Sequence, residues 1–231
     1  MWFEYGPKPL TGFFGELFNW STVEVPMPQG AYTMISSGDA TIGGYTQAPG
    51  WTAHLQVDDA AAAVKKVTAL GGSVAMPATR LGEVGVMALV ADPLGGKLAL
   101  WQPLGREPVT DYRGTNGSFF WTELYTADPA ASAKFYGELV GFTADVKDMG
   151  RGPYTILSKD GKPRAGIIQA PRPNIPQQWM PYVQVASTDT TVEKAKKLGA
   201  TVVMPAADLP IGRIAAFTDP AGVAIGVAQP A

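Results

Sequence analysis

The chain reads FYGELVGF from Phe135 to Phe142 and FFGELFNW from Phe13 to Trp20. Outward from these two stretches the likeness continues in one order. STVEVPMPQGAYTMI (Ser21–Ile35) answers TADVKDMGRGPYTIL (Thr143–Leu157), and TQAPG at Thr46 answers IQAPR at Ile168. WTAHLQV at Trp51 answers WMPYVQV at Trp179. LGGSVAMPA at Leu70 answers LGATVVMPA at Leu198, and ADPLGGKLALWQP at Ala91 answers TDPAGVAIGVAQP at Thr218. Self-similarity in a fixed order marks a tandem duplication. One domain is expected over residues 1–103 and a second over 118–231. The polar, Pro- and Gly-containing stretch 104–117 between them reads as an exposed linker.

Each half divides again. In the second half, FFWTELYT has strand character, being rich in aromatic residues and Thr. DPAASAKFYGELVGF then reads as a helix. Asp128 caps its N-terminus, Pro129 suits its first position because the missing N–H needs no partner there, and Gly141 ends it. Strands are expected at Thr143–Lys147, Tyr154–Leu157 and Ala165–Gln169, followed by the Pro-rich joint PRPNIPQQ. The pattern restarts with WMPYVQV as a strand and STDTTVEKAKKLGA as a helix. TVVMP, RIAAFT and AIGVAQ follow as strands. The unit is βαβββ, and the chain holds four, over about 1–49, 50–103, 118–172 and 178–231. The first helix is shortened: Glu4 to Phe13 is three residues less than Glu123 to Phe135.

Bulk composition sets limits. The 231 residues are 46% hydrophobic and 16% charged, with 18 basic against 20 acidic side chains, which suits a core-forming protein and offers no basic nucleic-acid surface. No cysteine is present, so disulfides, thiolate metal sites and a Cys nucleophile are excluded. No run of apolar residues is long enough for a membrane span, and the N-terminus lacks the basic and apolar regions of a signal peptide. The expectation is a cytoplasmic protein, monomer or homodimer, with a small organic molecule as partner and neither nucleic acid nor membrane.

Tandem βαβββ units of this kind, above all WTELYTADPAASAKFYGELVGF and KKLGATVVMPAADLPIGRIAAFTDPAGVAIGVAQP, resemble the vicinal oxygen chelate superfamily. That superfamily groups glyoxalase I, extradiol dioxygenases, fosfomycin-resistance enzymes and bleomycin-binding proteins. The resemblance covers nearly the whole chain and looks closest to two-domain glyoxalase-like proteins labelled hydroxylases. It implies an α+β fold: four units forming two domains, each with a curved mixed sheet around a cleft. It also implies a divalent metal held by His, Gln and Glu from first and last strands. In the second half the corresponding positions hold Trp121, Met180, Gly226 and either Ile168 or Gln169. In the first they hold Trp2, Thr52, Ala99 and either Thr46 or Gln47. No acidic ligand appears, so neither a metal nor another cofactor is expected.

Strand alternation gives the cleft lining instead. Trp121, Glu123 and Tyr125 share one face of their strand, and Met180, Tyr182 and Gln184 share one face of theirs. The first half repeats this with Trp2 and Glu4, and with Thr52, His54 and Gln56. Gln47, Gln169 and Arg213 complete the candidate ligand-binding set. Glu4 with His54 reads either as an acid/base pair able to exchange protons or as polar groups bonded to backbone and water. Trp2 and Trp121 either stack on a flat ligand or plug the space a metal would use. Trp51 and Trp179 open their strands and read as structural. Arg213 meets an anionic ligand, pairs with Glu123 or forms a surface salt bridge. Asp92 and Asp219 sit in turn signatures and are given no chemistry. Three functions remain open: metal-independent binding or sequestering of a small molecule, an enzyme, and a degenerate interaction module.

Overall fold

A computed structural model of the chain describes residues 2–6, 11–27, 30–46, 49–105, 114–149, 152–173, 175 and 177–231. The first half contains β1 (Trp2–Gly6), α1 (Thr11–Phe18), β2 (Trp20–Met27), β3 (Gly30–Ser37), β4 (Ala40–Tyr45), β5 (Gly50–Gln56), α2 (Ala60–Ala69), β6 (Ser73–Leu81), β7 (Gly85–Ala91) and β8 (Lys97–Pro103). The second contains β9 (Phe119–Thr126), α3 (Pro129–Val140), β10 (Thr143–Asp148), β11 (Pro153–Lys159), β12 (Lys162–Gln169), β13 (Gln178–Gln184), α4 (Thr188–Lys197), β14 (Thr201–Leu209), β15 (Gly212–Thr218) and β16 (Ala224–Pro230). The βαβββ pattern therefore recurs four times, as the repeat requires.

Local chemistry explains the helix ends. The Asp128 carboxylate accepts from the Ala131 N–H at 2.9 Å, Pro129 opens α3, and Gly141 closes it at φ 75° with its N–H on the Gly137 carbonyl. Asp59 and Ser187 cap α2 and α4 in the same way. Phe135, Tyr136 and Leu139 are the buried face of α3. A Cβ on Gly137 would stand 3.1 Å from the Phe142 carbonyl oxygen, and one on Gly15 would stand 3.3 Å from that of Trp20. The repeated Gly-Glu-Leu thus marks where the chain leaving the helix crosses close over it.

Each half forms one eight-stranded mixed sheet, in the order β2-β3-β4-β1-β5-β8-β7-β6 and β10-β11-β12-β9-β13-β16-β15-β14. The pairs β1/β4, β5/β8, β9/β12 and β13/β16 are parallel. Close packing groups the chain differently. One compact unit is Met1–Trp51, Asp111–Trp121 and Met180–Ala231, so the first and last quarters share a core; the other is Thr52–Thr110 and Thr122–Trp179.

The first unit has an aromatic core. Tyr5, Phe14 and Trp51 meet with ring centroids 4.8–5.6 Å apart, and Phe3, Trp20 and Phe119 extend the cluster. The linker end is held here: the Trp20 indole donates to the Gly117 carbonyl at 2.6 Å, and the Gln184 side-chain oxygen accepts from the Gly114 N–H at 3.0 Å. The second unit packs aliphatic side chains, among them Val67, Leu98, Leu100, Leu124, Leu139 and Ile167, around Phe135, Tyr136 and Trp179.

Asp92 and Asp219 do more than turn the chain. Both are buried, and each takes two backbone N–H bonds within its turn through one carboxylate oxygen. The other oxygen takes a phenol from distant sequence. Tyr136 on α3 donates to Asp92 at 2.9 Å and accepts from the Trp179 indole at 3.2 Å. In the first unit the phenol comes from Tyr5 on β1, which donates to Asp219 at 2.7 Å. The repeat places Phe14 where Tyr136 stands and Leu124 where Tyr5 stands. The hydroxyl has moved from helix to strand, and the buried Trp51 indole N–H is left with no hydrogen-bond partner.

Candidate functional site

In β1 the Phe3 and Tyr5 rings enter the aromatic core, so Trp2 and Glu4 occupy the opposite face. Parallel pairing sets Glu4 level with Gly44, and antiparallel pairing sets Met34 level with the same glycine. Tyr32 lies two residues before Met34 on the same face. Its ring crosses Gly44 diagonally, and its hydroxyl donates to Glu4 Oε1 at 2.7 Å. A Cβ on residue 44 would stand 2.0 Å from that phenolic oxygen, so only glycine lets the ring pass. Burial first, then the neighbouring Glu4 charge and hydrogen bond, push the Tyr32 phenol far above its ordinary value, against a lowering contribution from a hydrogen bond with Trp2. Tyr32 is therefore a protonated donor at neutral pH, lodged between an indole and a buried carboxylate.

The second unit builds the same arrangement from β9, β11 and β12. Glu123 is level with Gly166, Gly166 is level with Ile156, and Tyr154 lies two residues before Ile156. The Tyr154 hydroxyl donates to Glu123 Oε1 at 2.8 Å, and a Cβ on residue 166 would stand 1.9 Å from it. Tyr125 adds a longer bond to Glu123 Oε2 at 3.3 Å. Both glutamates are buried, Glu4 at 8% exposure and Glu123 at 7%.

A third tyrosine covers a third glycine. Tyr182 is level with Gly226 across β13 and β16, and a Cβ on residue 226 would stand 2.2 Å from the ring. This is the last-strand position where the resemblance implies a glutamate ligand, and the ring takes the space any side chain there would need. The other ligand positions carry Trp121, Met180 and either Ile168 or Gln169 in the second half, and Trp2, Thr52, Ala99 and either Thr46 or Gln47 in the first. Among the described residues no group of three or more His, Asp and Glu side chains could hold a metal ion. Among the described residues, the donors at these positions do not fit the family's divalent metal.

The remaining candidates separate. Trp2 and Trp121 are half-buried, whereas Thr52, Met180 and Tyr182 are buried. Glu4 on β1 accepts from the Tyr32 hydroxyl, and His54 on β5 is half-buried. Gln56 is exposed, and so is Gln169, whose amide donates to the Ala127 carbonyl at 3.0 Å. Gln184 holds the linker end rather than standing open on the strand face, because its side-chain oxygen is taken by Gly114. Arg213 forks between Asp189 at 2.8 Å and Asp208 at 3.0 Å on the surface, the salt-bridge alternative. Those bonds hold the Asp189 carboxyl below its ordinary range. Gln47 lies outside the described residues. Sequence reading missed Tyr32 and Tyr154. The signal was present: in AYTMI and PYTIL the tyrosine precedes Gly44 or Gly166 by twelve residues in both halves.

Comparison with known proteins places the chain in a family. The model of the Glyoxalase/Bleomycin resistance protein/Dioxygenase superfamily matches residues 118–227. CFP32 of Mycobacterium bovis, provisionally named a glyoxylase, is 33% identical over 95% of this chain and 88% of its own length. The chain belongs to this superfamily. Another family relative, the anthracycline biosynthesis protein DnrV of Streptomyces peucetius, is 30% identical over 99% of this chain and 92% of its own. Among solved family structures, 2,2',3-trihydroxybiphenyl 1,2-dioxygenase from Sphingomonas wittichii strain RW1 superimposes with a TM-score of 0.64 at 17% identity, covering 99% of this chain and 88% of that one. The Mn(II)-bound glyoxalase from Novosphingobium aromaticivorans superimposes with a TM-score of 0.62 at 13% identity, covering 99% and 80%. The α+β glyoxalase-like fold in two domains, with two eight-stranded mixed sheets, is thereby established.

Proposed function

We propose that this superfamily member binds a flat small organic molecule at its glutamate–tyrosine faces and needs no divalent metal to do so. The observation that carries the reading is the Tyr-over-Gly-to-Glu arrangement, built twice with hydroxyl–carboxylate distances of 2.7 and 2.8 Å. The two halves differ in sequence elsewhere, with Tyr182 in place of His54 and Arg213 in place of Val86. A sheet face does not need a buried carboxylate to fold, since burying one carries a desolvation cost. Ligand sites commonly combine aromatic surface with a few fixed polar groups. The relatives named for anthracycline biosynthesis make fused-ring aromatics the first ligands to try. In this reading the protein acts in the cytoplasm, as monomer or homodimer, without nucleic acid or membrane.

The test is native mass spectrometry with elemental analysis, then calorimetric titration of an aromatic panel before and after chelation. Binding that survives chelation is expected. A stoichiometric divalent metal, or binding that chelation abolishes and added metal restores, would overturn the proposal. The glyoxylase name of CFP32 favours a second reading, in which Glu4 takes a substrate proton and Tyr32 supplies one. Turnover by the wild type that is lost in Glu4→Gln would promote it over binding alone.

A further inference from the structure

Resting on that reading of the two faces, the structure separates them by charge. Strands β1, β2, β3 and β4 contain no Lys, Arg or His, and their only ionisable acids are Glu4 and Glu24. The whole first quarter carries Glu4, Glu16, Glu24 and Asp39 against Lys8, a net −3 in a chain of net −2. The face beside Glu4 is aromatic, formed by the Trp2 indole and the Tyr32 ring. Strands β10–β12 instead hold Lys147, Lys159, Lys162 and Arg164 against Asp145 and Asp148, with Arg164 at the register shift of β12 beside β11.

We infer that the Glu4 face selects organic cations: flat molecules bearing a positive charge on or beside an aromatic ring. An indole and a phenol present negative π-faces to a cation, and the attraction grows when both are withdrawn from water. A carboxylate 8% exposed adds a Coulomb attraction that bulk water screens less than at the surface. Tyr32 keeps its proton and so serves as a fixed donor that orients Glu4 without cancelling its charge. The strands that flank Glu123 carry both signs of charge and so lack this one-signed field.

The test uses two probes of nearly one shape and different charge: N-methylacridinium, a permanent cation, and acridine, uncharged at about pH 8. Calorimetric titration of the whole chain should give at least ~10-fold tighter binding of the cation. Glu4→Gln should cut that ratio to below about threefold, while Glu24→Gln, which removes a charge from the same quarter on an exposed strand, should leave it intact. Equal binding of the two probes by the wild type overturns the charge inference and leaves small-molecule binding standing. A preference that survives Glu4→Gln, in protein whose circular dichroism matches wild type, overturns it as well, as does its loss in Glu24→Gln. Binding of neither probe counts against both readings.

Discussion

The hydroxyl that unit 1 carries on Tyr5 and unit 2 carries on Tyr136 can be moved back. Tyr5→Leu removes the phenol that donates to buried Asp219. A hydrogen bond to a charged group contributes about 1.5–3 kcal/mol, and trimming a buried ring to Leu adds about 1–2 kcal/mol of lost packing. The single change should cost about 2.5–5 kcal/mol. Phe14→Tyr alone puts a hydroxyl at a fully buried position while Tyr5 already occupies Asp219. Overpacking of this kind costs about 1–3 kcal/mol. Together the two changes copy the second unit: a helix phenol on the turn aspartate, a leucine on the strand, and an acceptor for the Trp51 indole that now has none. The double variant should therefore be more stable than the sum of the singles by at least about 2 kcal/mol, a coupling well above the ~0.5 kcal/mol scatter of independent sites. Urea unfolding of the four proteins measures it, and at this chain length each kcal/mol also moves Tm by about 2–4 °C. Additive changes would refute the equivalence of the two aspartate latches.

Four further outcomes are expected. Gly44→Ala or Gly166→Ala should push the overlying tyrosine off its glutamate, costing about 1–3 kcal/mol and changing the near-ultraviolet circular dichroism; an unchanged spectrum would mean the ring does not lie on the glycine. Asp128→Ala should cost about 1 kcal/mol in urea unfolding through loss of the α3 cap, and no cost would contradict the cap. Burial raises the phenols of Tyr5, Tyr32, Tyr45 and Tyr136 in the folded state. A raised folded value means this contribution is intact below the unfolded phenol pKa of about 10 and is lost as pH rises toward the folded one, so stability should fall above about pH 10. Alkaline absorbance titration should show these tyrosines ionising only on unfolding, and eight freely titrating tyrosines would contradict it. Arg213→Gln should leave ligand affinity unchanged, since its bonds go to surface aspartates; weakened binding would return it to the site.

What the sequence disclosed was what local chemistry controls. Asp128, Pro129 and Gly141 each act within one turn of the chain, so the α3 boundaries follow from their identities. The repeat disclosed the four units because duplicated stretches keep their order. Tyr32 and Tyr154 stayed hidden because their roles depend on register: a tyrosine on one strand reaches a glutamate two strands away only over a glycine on the strand between. Asp92 was read as a turn residue, which it is, but its bond to Tyr136 spans 44 residues and no local pattern announces it. Glu4 was named from alternation alone, while its partner Tyr32 needed the pairing of β1 with β4 and of β4 with β3.

The first compact unit takes its material from both ends of the chain. During synthesis the middle of the chain emerges with every partner its core requires. The opening quarter does not: Phe13 and Tyr5 wait for Phe217 and Asp219. At about 5–20 residues per second that wait is on the order of ten to forty seconds. For that interval an aromatic-rich nascent segment stands uncovered, so premature termination before β13 should release a sticky product. The last quarter is, in this sense, the chain's own cover for its beginning.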